Sequence, residues 1–147
     1  MTPLKLHHIG CAVASLEDAL VPYTTGLGFV RMSEILEIPR LKIRVCFVEV
    51  SPGVFMELVQ GLTSDSPVSG FVSRRQSYYH VCYSAPNVMR AVEHLEANKF
   101  RRVSAFTSEA FSDQECVFLL SPQQALVEIV PEGSFCMIGE SPLKCPS

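Results

Sequence analysis

"HIGCAVASLEDALVPYTTGLGFV" (residues 8–30) and "HVCYSAPNVMRAVEHLEANKFRR" (residues 80–102) are two versions of one pattern, and reading them together decides the fold. Each opens on a histidine at the head of an apolar, strand-like run, crosses a short turn and enters a segment of helical period. Each leaves that segment through a phenylalanine, Phe29 or Phe100. In the first, Leu16, Ala19, Leu20 and Tyr23 recur at helical spacing behind Ser15, a residue type that caps helix N-termini, and Gly26 or Gly28 supplies the stop. In the second, Val88, Ala91, Val92 and Leu95 follow Asn87 in the capping position, with Asn98 near the end.

The parallel continues outward. "RVCFVEVSPGVFMELVQ" (44–60) and "ECVFLLSPQQALVEIVP" (115–131) each read as strand, Ser-Pro turn, strand, the proline presetting the backbone of the turn. Each ends in an apolar strand with one embedded glutamate, Glu57 or Glu128. The distance from His8 to Glu57 is 49 residues and from His80 to Glu128 it is 48. One further strand per unit is expected within 30–38 and 101–109. The chain therefore divides into a first βαβββ module (1–60), a linker (61–79) with a short helical turn around 66–75, a second βαβββ module (80–131) and an irregular, loosely held tail (132–147). The fold class is α+β.

A charged glutamate inside a buried strand is costly unless it is paired, hydrogen-bonded or bound to a cation. Two of them, at equivalent places of two repeats and each matched to a strand histidine, point to a shared site. Packed about a pseudo-twofold axis, His8, Glu57, His80 and Glu128 converge. Imidazole and carboxylate together suit a divalent transition metal, and four protein ligands on a six-coordinate ion leave two positions open for substrate. His7 and His8 are adjacent, and strand side chains alternate between faces. The two are therefore expected to face opposite ways, and the residues alone leave open which one belongs to the site.

Bulk properties narrow the function classes. The 147 residues are 48% hydrophobic and 18% charged, with a formal net charge of −3, a balance that argues against nucleic acid or an anionic membrane as partner. The apolar runs fall short of the ~20 residues of a spanning helix, and the N-terminus lacks signal-peptide architecture. None of the six cysteines forms a C-x-x-C pair. Free thiols in a reducing cytoplasm are expected, with neither a disulfide framework nor a thiolate zinc site.

With "HHIGCAV", "FMELVQ", "YYHVCYS" and "ALVEIVP" in this order, residues 5–131 resemble the vicinal-oxygen-chelate (glyoxalase/bleomycin resistance/dioxygenase) superfamily. That resemblance implies two βαβββ modules forming a curved mixed sheet around a metal site. His8, Glu57, His80 and Glu128 match the metal ligands, and His8 is favoured over His7 because the ligand precedes Ile-Gly. The linker "DSPVSGFVSRRQSYYHVCYS" is most similar to methylmalonyl-CoA epimerases, although Arg40 and Lys42 stand where those carry an acid and a glycine.

The implied activity is metal-dependent isomerisation or epimerisation by proton transfer next to a carbonyl, with Glu57 and Glu128 as catalytic bases. The ion is Co, Ni, Zn, Mn or Fe. The substrate is a small molecule with adjacent oxygens, an acyl-CoA among the candidates, and the assembly a cytoplasmic homodimer. The alternatives are a glyoxalase I-type lyase, a thiol-adding resistance enzyme, and a non-catalytic small-molecule-binding protein on the same fold. Arg74, Arg75, Arg40, Lys42 and Arg44 are expected to be solvated, His94 exposed, and Phe47 and Phe118 core. Of Tyr78 and Tyr79, one is expected to pack in the core and the other to line the pocket.

Overall fold

The computed structural model describes residues 2–137. The first module runs β1 (Lys5–Val13), α1 (Leu16–Val21), β2 (Leu36–Ile38), β3 (Ile43–Ser51) and β4 (Val54–Gly61). A linking helix, α2 (Ser69–Ser73), leads to β5 (Tyr78–Ala85), α3 (Val88–Ala97), β6 (Arg101–Thr107), β7 (Glu115–Leu120) and β8 (Leu126–Pro131). All eight strands form one curled mixed sheet in the order β2-β3-β4-β1-β5-β8-β7-β6. Each half is the mirror of the other in this order. β1 pairs in parallel with β4 and β5 with β8, while β1 and β5 join the halves antiparallel.

Both expected helix caps form. Ser15 and Asn87 adopt extended backbone and their side chains accept from the amides of Asp18 and Arg90, satisfying N–H groups that the first helical turn leaves unpaired. The first helix closes through a wider turn over Pro22–Gly26, followed by Gly28 in the left-handed region at φ 78°. The strand expected within 30–38 is only three residues long, with Met32 adding a single bridge to Val48. In both modules a 3-10 turn, Pro39–Leu41 or Glu109–Phe111, ends on a left-handed residue, Lys42 at φ 56° or Ser112 at φ 57°. Lys42 thus holds a conformation that a glycine adopts without steric cost.

Strand alternation separates the core into layers. Met56 and Leu58 pack with Leu16 of α1 on the convex face, and Val127 and Ile129 with Val88, Ala91 and Val92 of α3. Phe55 and Val59 turn to the concave face, and Glu57 lies between them in sequence. The fully buried Leu16 alone contributes about 2–3 kcal/mol.

Two expectations need correction. The segment 132–137, though irregular, is not loose: the Cys136 amide donates to Ala110 O at 2.9 Å, Ser112 Oγ donates to Ser134 O at 2.7 Å, and Cys136 and Met137 are buried. The rest of the expected tail, 138–147, lies outside the described residues. Cys11, Cys46, Cys82 and Cys116 are free and buried, but Cys136 is disulfide-bonded. A disulfide requires two cysteines brought by the fold to Cα separations of roughly 4–7 Å, which spacing along the chain does not reveal.

Candidate functional site

The four central strands carry one polar group each to the floor of the concave face: His8 on β1, Glu57 on β4, His80 on β5 and Glu128 on β8. Register explains the meeting. Gly10 lies opposite both Glu57 and His80, and Cys82 lies opposite both His8 and Glu128. The two histidines thus lie diagonally across the β1–β5 seam, and the His80 ring lies over Gly10 of the first module. Gly10 makes room for this. A Cβ there would fall 2.0 Å from Cε1 and 2.1 Å from Nδ1 of His80.

His8 Nε2, His80 Nε2 and one oxygen of Glu128 form a triangle with all three sides 3.0 Å. Glu57 faces it, its two oxygens 3.8 Å from His8 Nε2 and His80 Nε2 respectively. His8 and Glu128 are buried, and Glu57 keeps 12% of its side chain exposed. Two ligand atoms at right angles about an ion at about 2.1 Å are about 3.0 Å apart, so the triangle has the dimensions of one face of an octahedral coordination sphere. The donor set, nitrogen and oxygen without sulfur, suits a divalent transition metal. All four residues expected from the sequence meet here.

The two carboxyls titrate differently. Burial, followed by the negative charge of Glu128, pushes Glu57 up to about 8. Burial also raises Glu128, but the imidazoles of His8 and His80 outweigh it and hold that carboxyl well below the usual carboxylate range. Opposed shifts within one site separate a proton-carrying group from one that stays ionised.

Above this floor opens a cavity of about 870 Å³, with Glu57, His80 and Glu128 in its lining. Its walls are largely apolar: Leu41, Ile43 and Val45 on one side, Phe106, Phe118 and Leu126 on the other, and Val68 and Phe71 of the linker above. No lysine or arginine of the described residues lines it. Arg40, Lys42 and Arg44 are engaged by Thr107, Asp65 and Glu17, and Arg74 lies over the Phe71 ring at 5.1 Å. His94 is exposed, as expected. Both Tyr78 and Tyr79 border the cavity, Tyr79 half-buried against Phe71 and His80 and Tyr78 exposed. Phe47 and Phe118 do more than fill the core. They are cross-strand partners of Glu57 and Glu128 and set their ring edges against His8 and His80, with centroids 5.6 and 5.2 Å apart.

His7 does not turn to the opposite face. The β1–β5 register shifts between Leu6 and His8, and this irregularity brings the rings of His7 and His8 to 5.1 Å. Nδ1 of His7 then lies 2.8 Å from Nδ1 of His8, and Phe55, Phe111 and Phe135 surround the His7 ring. A one-residue irregularity leaves no trace in the hydrophobic pattern, which is why strict alternation misplaced this side chain. Phe135 and Phe111 escaped notice because they come from irregular segments with no periodicity to read.

Residues 7–118 match the family profile described as "Glyoxalase/Bleomycin resistance protein/Dioxygenase superfamily". The chain belongs to this superfamily. Among curated members, the mitochondrial methylmalonyl-CoA epimerase of Mus musculus is 35% identical over 102 residues, covering 68% of this chain and 56% of the relative. Its Homo sapiens counterpart is 31% identical over 117 residues, covering 78% and 65%. The chain thus spans less than two thirds of these relatives' length. A solved structure of a Streptomyces coelicolor methylmalonyl-CoA epimerase variant, in complex with 2-nitronate-propionyl-CoA, aligns with TM-score 0.74 at 18% identity, covering 88% of this chain and 98% of that one. At that identity the likeness shows the shared superfamily fold. Among the described residues no helix is long and apolar enough to cross a membrane.

Proposed function

We propose that this chain is a divalent-metal-dependent isomerase that inverts a carbon next to a carbonyl by proton transfer, with an acyl-CoA of the methylmalonyl type as substrate. The observation that carries the reading is the 3.0 Å triangle of two imidazole nitrogens and a carboxylate oxygen at the floor of the cavity, with a second carboxylate facing it. His8, His80, Glu128 and Glu57 are the residues that would hold the ion, and Co, Ni, Zn, Mn and Fe all suit them. A bound divalent ion supplies the positive charge that stabilises negative charge developing on two adjacent substrate oxygens.

The chain's own groups do the rest. Glu57, the more exposed carboxyl, takes up and returns the substrate proton. Glu128, its counterpart in the repeat, is a carboxylate that would hold the ion and would serve the opposite face of the carbon. The apolar walls exclude water from the acidic carbon and limit competing hydrolysis. The curated relatives' name and the acyl-CoA analogue in the Streptomyces coelicolor structure support the substrate class.

The test begins with ion-stripped protein titrated with Co²⁺ and Zn²⁺ by calorimetry, followed by NMR of methylmalonyl-CoA in deuterated water. Stoichiometric binding and ion-dependent loss of the α-proton signal are expected. Isomerisation of a hemithioacetal without acyl-CoA exchange would instead establish the lyase reading. Affinity no tighter than roughly millimolar, about −4 kcal/mol, would overturn metal dependence and leave a non-catalytic binding protein.

A further inference from the structure

We propose that His7 is a positioning residue for the metal centre: it accepts the Nδ1 proton of His8 and thereby holds the Nε2 lone pair of His8 toward the ion. The inference rests on the metal-dependent reading above. Its physical content is a proton count. His8 Nε2 points at His80 Nε2 and Glu128, each 3.0 Å away. To offer a lone pair there, His8 must carry its proton on Nδ1. The acceptor 2.8 Å from that nitrogen is Nδ1 of His7. His7 must then carry its own proton on Nε2, which is buried and finds no hydrogen-bond partner among the described residues. The ring is enclosed by Phe55, Phe111 and Phe135 at 5.4, 5.4 and 4.6 Å, none of which offers a competing acceptor or donor. His8 is therefore the hydrogen-bond partner to which the cage directs this ring.

The two halves of the pseudo-symmetric site differ at this point. Tyr79 occupies the position before His80 that His7 occupies before His8, and it meets His80 edge-on with centroids 4.5 Å apart. The second nitrogen of His80, Nδ1, has no hydrogen-bond partner among the described residues. His80 is steered by packing, against Tyr79, Phe118 and the bare backbone of Gly10. His8 is steered by a hydrogen bond. Metal-ligating histidines commonly fix their tautomer by donating the second N–H to a carboxylate or carbonyl. Here an uncharged ring takes that part, made possible by the register shift at the start of β1.

The test compares wild type with His7→Phe, which keeps an aromatic ring and removes the acceptor, and His7→Asn, whose side-chain oxygen restores an acceptor near the Nδ1 position. Long-range ¹H–¹⁵N correlation spectra of the Zn²⁺-loaded proteins report the His8 Nδ1–H and its exchange with solvent, and calorimetry with Zn²⁺ alone reports affinity. Expected results are a His8 Nδ1–H held against exchange by His7 Nδ1 in wild type, faster exchange and a 10- to 100-fold weaker Zn²⁺ affinity in His7→Phe, and substantial recovery of both in His7→Asn. Zn²⁺-loaded wild type without an Nδ1–H of His8 bonded to His7, or unchanged exchange and affinity in His7→Phe, overturns the proposal. The wild-type spectrum is informative even when a variant fails to fold. Stoichiometric Zn²⁺ binding without that hydrogen bond overturns the His7 assignment alone, whereas no Zn²⁺ binding overturns the metal-dependent reading on which it rests.

Discussion

Replacing Gly10 by alanine adds one methyl group and is expected to disable the site. The added Cβ would lie 2.0 Å from His80 Cε1 and 2.6 Å from His80 Nε2. To restore ordinary contact at 3.4 Å the imidazole must withdraw by about 1.4 Å. His80 Nε2 is one corner of a triangle only 3.0 Å on a side, so a retreat of that size takes it out of reach of an ion held by His8 and Glu128. The backbone does not soften the clash, because Gly10 sits mid-strand, paired on one side with Glu57 and on the other with His80 itself. A misplacement of about 1 Å costs on the order of 10²-fold in rate, and overpacking costs about 1–3 kcal/mol of stability.

The assay is parallel: Zn²⁺ affinity by calorimetry, α-proton exchange by NMR and thermal unfolding, all beside Gly26→Ala as control. A Cβ at Gly26 meets nothing within 4 Å and no left-handed φ is imposed there, so this control should match wild type. Gly10→Ala should fold with a lowered Tm, bind Zn²⁺ at least 100-fold more weakly and lose exchange activity to a similar degree. Wild-type affinity in Gly10→Ala would mean that His80 does not need its observed position to hold the ion, and the assignment of the triangle as a ligand set would be refuted.

Other substitutions separate the roles of the remaining groups. Glu57→Gln should retain measurable Zn²⁺ binding while lowering proton exchange by about 10²–10⁴-fold, whereas Glu128→Gln should lose ion binding and exchange together, as measured by the same two assays. Phe135→Ala should lower stability to chemical denaturation by about 3 kcal/mol, the lower end for an aromatic truncation because the residue is only half-buried, and should weaken Zn²⁺ binding through the His7 cage. Asn87→Ala should cost about 1 kcal/mol by loss of the cap on α3 and leave ion affinity unchanged, since that helix packs on the convex face.

The repeat carried most of what could be read before any coordinates. A histidine heading one strand and a glutamate buried in another, matched across two modules at nearly equal spacing, pointed to His8, Glu57, His80 and Glu128 because each glutamate needed a partner that its own strand did not contain. Ser15 and Asn87 were legible as caps because capping is local chemistry, settled within three residues. Short β2 was less so, since the pattern over 30–38 does not say where pairing with β3 begins.

What the sequence by itself determined is therefore the periodic and the local: the modules, the helix starts, and the residues whose chemistry demands company. Tertiary structure decided the features that depend on register and on distant segments. The shift between Leu6 and His8 brings His7 beside His8, against the alternation that a regular strand imposes. Gly10 became necessary only when β5 laid the His80 ring over it. Phe135, from an irregular segment, closes the cage around His7. Each of these is a contact between residues far apart in the chain or at a single irregular step, and neither kind leaves a period in the sequence to be read.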